Sequence, residues 1–136
     1  ISDPLGRRRG RGGVSEYKIV YGVPQVNALM VDLETRFKQN QLSKPERQLL
    51  NKLVRCLTKL AINPRDRTLE THEIVELSKK YAPLRIGESY VENQKPGAYR
   101  LFWYYHPTID HLIVIVGIQP HPETGEYGHL KLSIEI

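Results

Sequence analysis

Cysteine is all but missing: Cys56 is the only one among 136 residues, so no internal disulfide can form and nothing calls for an oxidising compartment. Long apolar runs are missing as well. The longest, Leu112 to Ile118, is far shorter than the roughly 20 residues that cross a bilayer. The basic N-terminus has no apolar segment behind it, as a secretory signal would. A soluble protein of the cytoplasm, with no membrane partner, is therefore expected. There is no phosphate loop, because Gly6, Gly10, Gly12 and Gly13 precede any helical pattern and no lysine and hydroxyl residue follow them in Walker order. Five histidines and one cysteine show no zinc-site spacing, even though His106 and His111 flank a turn, so neither a metal nor another cofactor is expected. An initiator methionine is also absent, and the opening Ile1-Ser2-Asp3 fits a fragment or a processed form.

What is present suits one soluble domain, with 40% apolar and 26% charged residues. The net charge of +5 is uneven. Arg7, Arg8, Arg9 and Arg11 against Asp3 leave the first thirteen residues at +3 and the remainder at +2. Residues 1–14 read as a Gly/Arg-rich arm and residues 15–136 as the folded domain. Guanidinium groups bind phosphates bidentately and release counterions, so these four arginines are candidate RNA contacts. A merely solvated tail has the same composition.

Beyond the arm, Tyr17 to Tyr21 alternates like a short strand that stops at Gly22 and Pro24. Val26, Leu29, Met30, Leu33 and Phe37 recur at helical spacing, which predicts an amphipathic helix. A second helix opens at Ser43 with a capping-box glutamate at Glu46 and ends at Asn63-Pro64, its buried stripe running from Leu49 to Leu60. Its basic outer stripe, Lys52, Arg55 and Lys59, reads as a solvated face. A short connection makes the two helices an antiparallel hairpin. Leu69 to Leu77 suits either a strand or a helical turn. Strands are predicted at Leu84 to Val91, Tyr99 to Tyr105 and His111 to Gln119, running as an antiparallel meander with the last as the central strand. Leu130 to Ile134 alternates and is expected to add an edge strand or to dock on a partner.

The predicted fold class is therefore α+β: an N-terminal strand and a two-helix hairpin packed on a mainly antiparallel sheet of four to five strands. Local sequence adds to this. Leu57-Thr58-Lys59-Leu60 before Asn63-Pro64, then Leu69-Glu70-Thr71-His72, Arg85, Tyr99-Arg100-Leu101-Phe102-Trp103, and His121 with Tyr127 after Ile113 to Ile118, resemble the RelE/ParE superfamily of toxins over about residues 17 to 130. The resemblance implies a metal-independent endoribonuclease, acting with or without the ribosome, and a cognate antitoxin protein as partner. The superfamily also contains gyrase inhibitors and inactive relatives, so a non-catalytic module binding RNA or a larger assembly is the alternative.

Such a nuclease uses the RNA's own 2′-hydroxyl as nucleophile and needs cations at the phosphate together with groups that move protons near neutrality. Arg85 and Arg100, set in half-buried strands, fit the phosphate role, although ion pairs to Glu88 or Glu92 would equally account for them. His121, at a strand end, is the first candidate for general acid, since histidine titrates near neutrality. His72 is a candidate base, and so is either Glu92 or Glu88, with nothing in the sequence to select between them. Tyr127 and Lys131 are candidate RNA contacts, though Tyr127 would equally pin a turn. In Phe102-Trp103-Tyr104-Tyr105, alternation puts Phe102 and Tyr104 on one face and Trp103 and Tyr105 on the other, a pattern that core packing alone explains. The nuclease reading requires Arg85, Arg100 and His121 to converge on one groove.

Overall fold

The computed structural model describes residues 16–93, 95, 97–122, 126–127, 130–132 and 134, so the arginines of the arm lie outside the described residues. The chain begins with strand β1 (Lys18–Tyr21), then helices α1 (Pro24–Lys38) and α2 (Lys44–Ile62). A 3-10 turn (Arg67–Leu69), strand β2 (His72–Glu73) and the short helix α3 (Val75–Lys80) follow. Strands β3 (Gly87–Tyr90), β4 (Tyr99–Tyr105) and β5 (Leu112–Pro120) complete the sheet. Its order is β1-β5-β4-β3-β2, with β1 parallel to β5 and every other pair antiparallel. The α+β architecture is the expected one, and β5 is an interior strand although β4 occupies the middle.

The helix hairpin forms for the reasons its sequence gives. Ser43 caps α2 by accepting from the Glu46 N–H while the Glu46 carboxylate accepts from the Ser43 N–H. Arg36, near the end of α1, grips the same carboxylate with both terminal nitrogens at 2.9 Å. That grip, with the capping bonds, lowers the Glu46 pKa to about 2. Leu50, Leu53, Cys56 and Leu60 of α2 and Val26, Met30 and Leu33 of α1 are buried in one core. Each fully buried aliphatic side chain there contributes roughly 1.5–3 kcal/mol. Burial pushes the Cys56 thiol up to about 12, which leaves it an inert packing group. Phe37, expected on the buried stripe, is exposed and lies one residue from the end of α1.

Two segments depart from the sequence reading. The ambiguous stretch is both things in succession: β2 lasts two residues, and Ile74 then leads into α3 while its N–H donates to the Ile86 carbonyl. The C-terminal stretch forms no strand among the described residues but lies across a face of the sheet. Leu132 is buried, its N–H donates to the Tyr81 hydroxyl, and Lys80 Nζ donates to the Leu130 carbonyl. Gly117 makes this close approach possible, since a Cβ there would stand 2.7 Å from Leu132 Cδ2.

Candidate active site

Strand register decides which polar side chains can meet. His72 pairs with Glu88, Glu88 with Phe102, and Phe102 with Gly117. Two residues along the sheet, Tyr90 pairs with Arg100 and Arg100 with Gln119. Directly opposed residues, and residues two apart on a strand, share a face. His72, Glu88, Tyr90 and Arg100 are thereby brought together. His121, just past the end of β5, is held by its own N–H, which donates to the Ala98 carbonyl, so that it sits beside the start of β4. Tyr127 closes the group from above, edge-on to both Phe102 and His121.

The protons in this group can be assigned. His121 Nδ1 is 2.8 Å from the Pro122 carbonyl, which can only accept, so Nδ1 carries hydrogen. In the neutral ring Nε2 is then an acceptor, and the Tyr127 hydroxyl donates to it at 3.0 Å. Burial and the neighbouring Glu88 carboxylate raise the Tyr127 pKa, keeping it a donor. His72 is fixed in the same way: Nδ1 faces the Glu70 carbonyl at 2.9 Å, which turns Nε2 toward Glu88 Oε1 at 3.2 Å. That contact is attractive only if a proton lies between the two groups, on the imidazole or on the carboxyl. Glu88 is 0% exposed, yet neither of its oxygens has an aligned hydrogen bond. Buried polar groups are seldom left in this state, and such exceptions are enriched at functional sites.

Arg100 supplies the positive charge. Its guanidinium lies flat on the Tyr90 ring, 3.7 Å from the centroid. One terminal nitrogen donates to the Glu92 carbonyl at 2.6 Å and the Tyr99 carbonyl at 3.3 Å, while the buried Nε has no partner. Stacking and carbonyl contacts hold the group in place without neutralising its charge.

Four expected residues thus come together, namely Arg100, His121, His72 and Tyr127, along with Glu88. Three do not. Arg85 is on the far side: its side chain is 80% exposed and ion-paired with Glu73 at 2.8 Å, because the pairing of Glu73 with Gly87 sets the two side by side. The convergence that the nuclease reading requires therefore fails for Arg85 and holds only for Arg100 and His121, so any phosphate role at this corner falls to Arg100 alone. Glu92 lies beyond the end of β3 and is fully engaged by Lys95, Lys52 and the Tyr99 N–H. Burial alone would raise its pKa, but those three bonds outweigh burial and leave it below the usual glutamate range. It is a staple between α2 and the sheet rather than a base. Lys131 lies in a small groove beside Gln25 and Leu29 of α1, where its carbonyl accepts from Gln119. Glu88 could have been preferred to Glu92 from sequence only by fixing the strand end at Tyr90.

Among the described residues no cluster of histidine, cysteine and carboxylate side chains could hold a metal ion, and no helix is long and apolar enough to cross a membrane. In comparison with known proteins, the chain matches no family model, no curated protein and no solved structure.

Proposed function

We propose that this protein is a metal-independent endoribonuclease that cleaves RNA through the 2′-hydroxyl, in a narrower form than the sequence reading requires, with Arg100 as the one strand arginine at the phosphate because Arg85 does not reach the corner. One observation carries the reading: a fully buried carboxylate paired with His72 at 3.2 Å, a guanidinium with its Nε–H left without an acceptor and a histidine–tyrosine pair meet at one corner of the sheet. These are the groups that transesterification at phosphorus needs. In the proposed reaction the proton between the two groups rests on His72, and the Glu88 carboxylate removes the 2′-hydroxyl proton as the 2′-oxygen bonds to phosphorus. Arg100 balances the charge that gathers on the non-bridging oxygens. The bond to the 5′-oxygen breaks, and His121 in its imidazolium form, in which Nε2 carries a proton and the Tyr127 hydroxyl becomes an acceptor instead of a donor, delivers the Nε2 proton to that oxygen and returns to the neutral ring seen in the structure. The products are a 2′,3′-cyclic phosphate and a 5′-hydroxyl.

Access requires movement. Glu88 and Arg100 are buried, with the Tyr127 ring over them, and displacement of that side chain from its bond to His121 would open the corner. The same depth favours a second reading, a non-catalytic module in which the cluster only locks the C-terminal segment. Under the nuclease reading, an antitoxin would be a protein that covers this corner, and the ribosome would be the context in which some substrates are presented. Induction in a bacterial host, with growth and RNA 5′ ends followed, separates the readings. New 5′ ends that disappear in both Arg100→Ala and His121→Ala support the nuclease. Abundant folded wild-type protein that leaves RNA and growth untouched supports the module.

A further inference from the structure

On the opposite face of β3 and β4 lies a cleft of about 650 Å³ that the proposed chemistry does not use. Its floor is aromatic. Tyr105 is about half exposed (49%) and lies edge-on, with centroids 4.9 Å apart, to Trp103, the only tryptophan in the chain, which is buried at 3% exposure with its indole N–H satisfied by Ser89. Gly87 leaves the floor open, because a Cβ there would stand 3.6 Å from the indole, in ordinary contact, and would project into the cleft. The rim is charged. Two of its carboxylates are already engaged, Asp66 with Thr68 and Glu73 with Arg85. Arg65 and Arg67 are exposed and make no ion pair among the described residues. Two exposed guanidinium groups without an ion pair, beside the half-exposed ring of Tyr105, fit a ligand that is an anion at one end and a planar ring at the other. His72 belongs both to this cleft and to the Glu88 corner, so the two sites share a wall.

We infer that the cleft binds one nucleotide of a single-stranded RNA, its base on the exposed ring of Tyr105, next to buried Trp103, and its phosphate at Arg65 and Arg67. The inference rests on the nuclease reading for the identity of the strand: the nucleotide held here neighbours the phosphate presented to Arg100. Aromatic stacking accepts any base, so the cleft contributes affinity with little sequence preference. The loop carrying both arginines is rigid, since Asp66 caps the 3-10 turn through the Thr68 N–H and hydroxyl.

The test is binding of a short 2′-O-methyl RNA, which cannot be cleaved, followed at once by Trp103 fluorescence and by polarisation of a label on the oligonucleotide. Saturable binding seen by both signals is expected. Arg65→Ala with Arg67→Ala, both at exposed positions, should weaken it at least about tenfold, as each lost phosphate contact also lowers the salt dependence. Gly87→Val should weaken it by a similar factor through filling the floor, whereas Arg100→Ala should lower the affinity through the neighbouring phosphate and still give the full tryptophan change at saturation, which separates this site from the catalytic one. Polarisation without a tryptophan change, or arginine variants that bind like wild type, would overturn the assignment. A free nucleoside monophosphate that binds as tightly as the oligonucleotide would overturn its strand component. Failure of RNA cleavage with intact binding would count against the nuclease reading alone.

Discussion

Two glutamates four residues apart are both withdrawn from solvent, and their surroundings could hardly differ more. Glu92 receives two lysines and a backbone N–H, so every reason to keep it charged is met. Glu88, more deeply buried, has a histidine at 3.2 Å, a tyrosine hydroxyl nearby and no aligned hydrogen bond. A carboxylate whose lone pairs are occupied contributes to stability and cannot take a proton readily. One that meets only a proton-sharing histidine and a tyrosine hydroxyl, with no aligned hydrogen bond, gives up stability and is ready to react. The contrast teaches that burial alone does not mark a functional acid; the difference lies in what the burial leaves unsatisfied.

The sharpest way to break that contrast is to neutralise each residue in turn. Glu88→Gln should lower RNA cleavage by about 10²- to 10⁴-fold, the usual contribution of a positioned base, while the melting temperature holds or rises. Unchanged cleavage by a folded Glu88→Gln protein would remove Glu88 from the mechanism. His121→Ala should lose activity in the same range of about 10²–10⁴, but only where the leaving group needs a proton. A uridine 3′-phosphate ester with a nitrophenyl leaving group should restore most of that loss in His121→Ala and none of it in Glu88→Gln. Equal behaviour of the two variants on this substrate would mean that acid and base have been assigned wrongly.

Smaller effects sharpen the other half of the contrast. Glu92→Gln should cost about 1–2 kcal/mol in denaturant unfolding, discounted for the partial exposure of its two lysines, with cleavage changed no more than about threefold. The sign of its pH dependence follows from the lowered folded pKa. Its contribution is fully present above the ordinary glutamate value of 4.5 and is lost as pH falls through the lower folded value, so Glu92→Gln should lose less stability on acidification than wild type. Identical acid profiles would show that the staple carries no charge-dependent energy. The smallest effect is expected of Arg85→Ala, with cleavage within about twofold and the melting temperature unmoved, since an exposed ion pair contributes little.

Much of the framework was legible because it rests on local rules. The capping box at Ser43 and Glu46, the apolar stripe of α2 and the limits of β4 at Tyr99 and Tyr105 all follow from spacing within a few residues. Arg100, His121 and Tyr127 were legible as chemistry, each being a costly residue type at a strand or a strand end. What escaped depends on contacts distant in sequence. The partner of Arg85 is set by the pairing of Glu73 with Gly87, and the role of Glu92 by Lys52, forty residues away on α2. The choice between Glu88 and Glu92 depended on where β3 stops. The fate of the C-terminal stretch depended on Gly117, whose missing side chain offers Leu132 a seat that an alternating pattern would otherwise assign to an edge strand.

The most direct test of the account is incubation of purified protein with a defined RNA in the presence of a metal chelator, with the chemistry of both new ends determined, alone and on ribosomes. The account predicts chelator-resistant cleavage that leaves a 2′,3′-cyclic phosphate and a 5′-hydroxyl and that is lost in Arg100→Ala. Cleavage abolished by the chelator, products ending in a 3′-hydroxyl, or intact RNA under both conditions would contradict it.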